Sequence, residues 1–316
     1  MQDREQVFET PLGWLHDRED RRHLEHTQSP LRITGRVRAP ESVDPRKWMR
    51  VESADTLSTG CGDALARCLE FLQCLKSGGH PVRLSSRFAY LAAQKMDGLL
   101  GRDCGATICG AVKASKVFGI CRRSKFRPTV GYSDAMPISA FRRAAAHRVV
   151  SHSLLYNYAE VVRILASGVG AALVGIPWAE SFDEHDGTID SISGPQRGYH
   201  SLAVVGFVAD RRDEQGRKYL IVANSHGRSW GEDGFATVAP RLFDIWGRDD
   251  RAMMVGLSDL ASYRTRDVSP INVRAAQSRR PAHAPVNHRL DSRQRRRFER
   301  ALRTKNGSGS PAARGK

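Results

Sequence analysis

The sequence predicts an α+β fold, a helical first half followed by an antiparallel second half. Three observations carry this. Apolar residues recur at helical spacing in residues 51–75, with Leu65, Leu69, Leu72 and Leu75 on one face, and again in residues 85–96 and 103–119. The later apolar runs 171–176, 202–207, 219–222 and 234–238 are short strand candidates, the first of them bounded by Gly and Pro. The charged run RRDEQGRK at 211–218 joins the second and third of these as a hairpin loop. Helices first and antiparallel strands after make an α+β arrangement.

Size and charge set the outer limits. A chain of 316 residues, 40% of them hydrophobic, can bury a substantial core in one large domain or two modest ones. No apolar run reaches the roughly 18 residues of a membrane span, so no membrane partner is expected. The first residues, MQDREQVFETPLGW, are charged and carry no apolar leader, which points to a cytoplasmic protein or to a carrier whose export is not written here. The net charge of +16 is unevenly shared: residues 263–316 hold 15 Lys or Arg against Asp267, Asp291 and Glu299. The basicity belongs to this C-terminal segment, and the rest has an ordinary balance.

In chain order, residues 1–50 form an extended, turn-rich lead-in, in which Trp14 and Leu15 are expected to cover an apolar patch. The helix of 51–75 opens after a polar loop. The next has Ser85 or Ser86 as its cap, and the third has Thr107 ahead of it and Gly119 to stop it. Val161, Val162, Ile164 and Leu165 mark a helix ending near Gly168, ahead of the strand at 171–176. Beyond Leu260 the periodicity fades. Pro270, Pro281, Pro285 and the run NGSGSP at 306–311 predict a basic disordered tail over residues 261–316, with DSRQRRRFERALR at 291–303 as one basic helical island. The expected domains are thus a lead-in of 1–50, a folded domain of 51–260 and the tail.

The chemistry starts from Cys61. A thiol at a helix N-terminus feels the partial positive charge of the unpaired amides, which favours the thiolate and makes it a candidate nucleophile. The alternative is a small buried hydrophobe. The six cysteines, Cys61, Cys68, Cys74, Cys104, Cys109 and Cys121, follow no metal-ligand spacing, so neither metal nor cofactor is implied, and free thiols are favoured over disulfides. Far along the chain, GYHSLAVVGF at 198–207 places His200 at the head of an apolar strand. YLIVANSHGRSWGEDGF at 219–235 places Asn224 at the foot of the next.

Together these segments resemble the papain-like cysteine peptidases, with His200 139 residues beyond Cys61 and Asn224 a further 24. GWLHDREDRRH at 13–23 is similar to an opening that precedes the catalytic domain in that family, and FGICRRSKFRP at 118–128 to the closure of its helical half. The resemblance implies a cleft between a helical half and a β half, and peptide or protein substrates. It assigns Cys61 the attack, His200 the acid–base role and Asn224 the orientation of that imidazole, with Trp230 shielding the His–Asn hydrogen bond. His226 stands where the family usually has Trp.

At the nucleophile end two registers are open. Aligned without a gap, Gly60 falls on the nucleophile, Ala54 on the Gln that completes the oxyanion hole, and Asp55 and Ser58 on the preceding glycines. A slip of one residue restores Cys61, at the cost of about 100° of helix rotation, and puts Asp55 on the Gln position. Loss of one oxyanion donor slows such an enzyme roughly 10²–10³-fold, whereas loss of the nucleophile abolishes covalent catalysis. Two functions follow. One is a papain-like cysteine peptidase using Cys61, His200 and Asn224. The other is an inactive pseudopeptidase that binds peptides or acts as a scaffold, with residues 261–316 docking it to nucleic acid or another polyanion. For that basic segment, a solvated tail is the competing reading.

Overall fold

In this computed structural model, residues 12–16, 24–25, 39–51, 57–127 and 131–261 are described. Ala54, Asp55, most of the 17–23 stretch and the basic residues 262–316, including the 291–303 island, lie outside them.

The central helix α1 (Gly60–Ser77) begins one residue before Cys61. It is buried along most of its length, with Leu65, Leu69 and Leu72 at most 1% exposed, and Gly78 in the left-handed region closes it. Its face also carries charge the periodicity did not announce. Glu70, wholly buried, accepts from the Leu84 amide at 2.7 Å and pairs with Arg67 at 3.1 Å. Helix α2 (Ser86–Asp97) starts on Ser85, whose hydroxyl accepts from the Phe88 amide at 3.1 Å. Helix α3 (Ile108–Val117) starts on Thr107, whose hydroxyl accepts from the Gly110 amide at 2.8 Å and donates to Asp97. Both caps lie where the sequence places them.

The second half adds elements the apolar runs did not reveal. Helix α4 (Ile138–Ala144) leads into β1 (Arg148–Leu155), then come α5 (Tyr158–Ala166) and β2 (Gly170–Ala179). Strands β3 (Thr188–Ile189), β4 (Gln196–Arg212), β5 (Lys218–Ala223) and β6 (Phe235–Val238) follow, then α6 (Pro240–Arg248) and β7 (Met253–Ala261). One seven-stranded sheet results, ordered β1-β7-β2-β4-β5-β6-β3 and antiparallel except for β3 on β6. Strand β1 escaped the sequence reading because Ser151, His152 and Ser153 interrupt its apolar run, yet Ser151 and His152 are buried against β7. Strand β4 runs well past the expected 202–207 at both ends, so His200 lies inside it rather than at its head.

Helix α1 packs on β2, β4 and β7, with α2 and α3 against it. Its first residue thereby meets the middle of β4. The lead-in joins the same sheet at Val43, whose amide and carbonyl exchange hydrogen bonds with Phe207 at 3.0 and 2.9 Å. The arrangement is the expected α+β fold.

Candidate active site

Two neighbouring strands deliver the polar pair. His200, opposite Ile176 in the β2–β4 ladder, is fully buried, and Asn224 follows the last residue of β5. The imidazole Nε2 lies 2.7 Å from Asn224 Oδ1. That oxygen also accepts from the Ser225 amide at 2.7 Å, so it is an acceptor and Nε2 is the donor. The proton therefore sits on Nε2, and in the neutral ring Nδ1 carries the lone pair.

Nδ1 faces Gly60. A β-carbon built on Gly60 would lie 3.1 Å from Nδ1 and 2.8 Å from Cε1 of His200. Among the described residues Nδ1 has no hydrogen-bond partner. The next residue points elsewhere: Cys61 is fully buried, and its Sγ donates to the Thr107 carbonyl at 3.5 Å. Consecutive helix residues diverge by about 100°, which is why both cannot face the same imidazole.

Comparison with known proteins agrees with this layout. The structure superposes on xylellain, a cysteine protease from Xylella fastidiosa, with a TM-score of 0.60 at 17% identity, covering 82% of this chain and 99% of that one. A family model described as papain family cysteine protease matches residues 143–249, the stretch that carries His200 and Asn224. The chain is papain-like. The structure of procathepsin B from Trypanosoma congolense gives a TM-score of 0.58 at 18% identity, over 79% of this chain and 87% of that one. A peptidase C1-like protein of Acanthamoeba polyphaga mimivirus is 22% identical over 255 residues, 71% of this papain-like chain and 79% of the viral one.

Aromatic rings close the papain-like pair off from water. Trp178 stands edge-on to His200 at 4.8 Å between centroids, and His226 lies 4.6 Å from the same ring. Trp178 is held by its own Nε1, which donates to Asp183 at 2.9 Å. Trp230, the ring expected to cover the His–Asn bond, packs behind them, 6.3 Å from Trp178, with its Nε1 donating to the Phe182 carbonyl at 2.7 Å. Trp178 was missed in the sequence because it ends a strand like any core aromatic.

This packing sets the electrostatics. Burial, with His226 adding to it, pulls His200 down to about 3, against weaker opposing effects of Asn224 and Asp183. Burial and then Arg197 pull His226 down to about 4. Both imidazoles are neutral at pH 7. Burial raises the thiols of Cys68, Cys74, Cys104 and Cys121, all free, so none is primed as a nucleophile.

Residues 12–16 lie directly over this site, a placement the sequence did not suggest. A β-carbon on Gly13 would lie 2.3 Å from the Gly60 amide nitrogen, so only glycine allows the two backbones to approach so closely. The Leu15 amide donates to the Ala106 carbonyl at 3.0 Å, and the Ala106 amide to the Gly13 carbonyl at 3.2 Å. Trp14, 4% exposed, fills the space that Gly175 leaves beside Ile108 and stands edge-on to Tyr199. His16 stacks on Tyr199 at 5.0 Å. Trp14 does cover an apolar patch, as expected, and that patch adjoins the His200–Gly60 contact. Among the described residues no cluster of three or more His, Cys, Asp or Glu could hold a metal ion, and no helix is long and apolar enough to cross a membrane.

Proposed function

We propose that this papain-like chain is a pseudopeptidase whose cleft binds peptide or protein segments without cleaving them. One observation carries the reading: the residue presented to Nδ1 of His200 is Gly60, while the sulfur of Cys61 is engaged with Thr107. Thiol hydrolysis needs a thiolate paired with an imidazolium and then a proton passed to the leaving amine. A neutral, buried His200 facing a glycine offers neither partner of that ion pair. For Cys61 to attack through His200 and Asn224, the start of α1 would have to rotate by about 100°.

Labelling with an epoxide or iodoacetamide probe tests this. The expected result is weak modification with no preference for Cys61 and no change in a His200→Ala variant. Selective, His200-dependent labelling of Cys61, with turnover of a peptide substrate, would establish the peptidase instead.

The C-terminal segment supplies the second contact in this reading. With 15 basic residues against three acidic ones over residues 263–316, it docks the chain to nucleic acid or another polyanion through charge. Binding should weaken steeply with salt and vanish on truncation after Leu260. A salt-independent affinity retained by the truncated chain would reject that role.

A further inference from the structure

Resting on the non-hydrolytic reading above, we infer that the position left open at Gly60 receives a carboxylate, the free C-terminal end of a bound peptide. Two independent features converge there. Gly60 is the first residue of the 18-residue helix α1, whose first-turn amides have no intrahelical acceptor and whose dipole favours an anion. Opposite it stands His200, fully buried, its Nδ1 without a hydrogen-bond partner among the described residues and 3.1 Å from the place of the missing β-carbon. In a thiol peptidase the negative charge between such a helix end and such an imidazole is the thiolate. With glycine there, the ligand must bring it.

The surrounding charges permit this. His226 lies against the His200 ring, and Arg197 acts on His226 from the start of β4. Asp183, the carboxylate that acts on His200, is already tied to Arg197 at 2.7 Å and to the indole of Trp178. In the first turn of α1, Asp63 accepts from the Thr59 hydroxyl at 2.7 Å.

The lead-in shows what kind of ligand fits. An extended backbone pairs with Ala106, a glycine lies against Gly60, and an indole fills the space beside Gly175 and Ile108. A peptide ending in Trp-Gly, running in the reverse direction, would place its indole in that seat and its carboxylate at Gly60, displacing residues 12–16. Its charge would stabilise the protonated form of His200, so binding takes up one proton and tightens as pH falls, by at most about tenfold per pH unit.

The test is calorimetry of the full chain with N-acetyl-Trp-Gly as the free acid and as its C-terminal amide, at pH 7 and pH 5.5. The acid should bind at least about tenfold more tightly than the amide, as a hydrogen bond to a charged group warrants, and the gap should widen at pH 5.5. Trp14→Ala should tighten both probes and keep the gap, while His200→Gln should close it. The His200→Gln chain keeps every charge of the basic C-terminal segment, so a gap surviving in it would trace to that segment and overturn the assignment. Equal affinities for acid and amide overturn the carboxylate site but leave peptide binding standing. Binding of neither probe, to the wild type or to Trp14→Ala, also overturns it. Hydrolysis of the amide probe's Trp-Gly bond overturns the non-hydrolytic reading itself.

Discussion

Asn224 Oδ1 accepts from Nε2 of His200 at 2.7 Å, and that bond decides which edge of the imidazole is turned toward α1. With Nε2 committed, Nδ1 and Cε1 are the atoms that meet Gly60, at distances tighter than a β-carbon tolerates. The ring cannot simply retreat, because Trp178 and His226 pack against it.

Gly60→Ala should therefore destabilise the fold by about 1–3 kcal/mol, the usual cost of an extra methyl in a packed site. Thermal melting measures this. An unchanged melting temperature would mean that His200 gives way freely and that the contact is looser than its geometry indicates.

The two neutral imidazoles predict acid sensitivity. In the unfolded chain a histidine takes up its proton near pH 6.5, whereas His200 and His226 do so only near 3 and 4 when folded. Below pH 6.5 the unfolded state binds more protons, so stability falls with pH until the folded groups also titrate, by about 1.4 kcal/mol per pH unit for each histidine. Urea midpoints between pH 7 and 4.5 should drop accordingly, and His226→Phe should flatten the slope by one proton. An unaltered slope in that variant would show that His226 is not held neutral.

Trp14 ties the lead-in to the site. Trp14→Ala removes a buried indole and should cost about 3–5 kcal/mol. Trp14→Phe should cost less, because the indole Nε1 has no partner among the described residues to lose. Denaturant titration of the two variants checks the order. Equal costs would mean that the seat beside Gly175 does not discriminate by volume.

Glu70 is the charged strut of α1. Glu70→Ala leaves Arg67, 3% exposed, without its 3.1 Å partner and should cost about 3–5 kcal/mol. A loss under about 1 kcal/mol, by the same denaturant titration, would mean that Arg67 finds compensation in the Arg50 carbonyl it already contacts at 2.7 Å.

Much of this molecule was legible before any coordinates. Helical spacing marked α1, caps Ser85 and Thr107 marked α2 and α3, and short apolar runs marked β2, β5 and β6, because each of these signals acts within a turn of helix or a few strand residues. His200 and Asn224 stood out through their local contexts and their spacing. Strand β1 and helix α6 were not legible, since their apolar residues are too interrupted to be told from loop until neighbours bury them. What only the tertiary structure decided is orientation. Gly60 and Cys61 are adjacent in sequence and read almost alike as helix openers, but which one looks at His200 depends on how α1 is rotated on β2, β4 and β7. That rotation is set by the whole buried face of the helix, from Leu65 to Glu70 and beyond, and by residues 12–16 arriving over Gly60 from the far end of the sequence. Spacing along the chain records which groups can meet. Packing free energy summed over many distant contacts decides which atoms do.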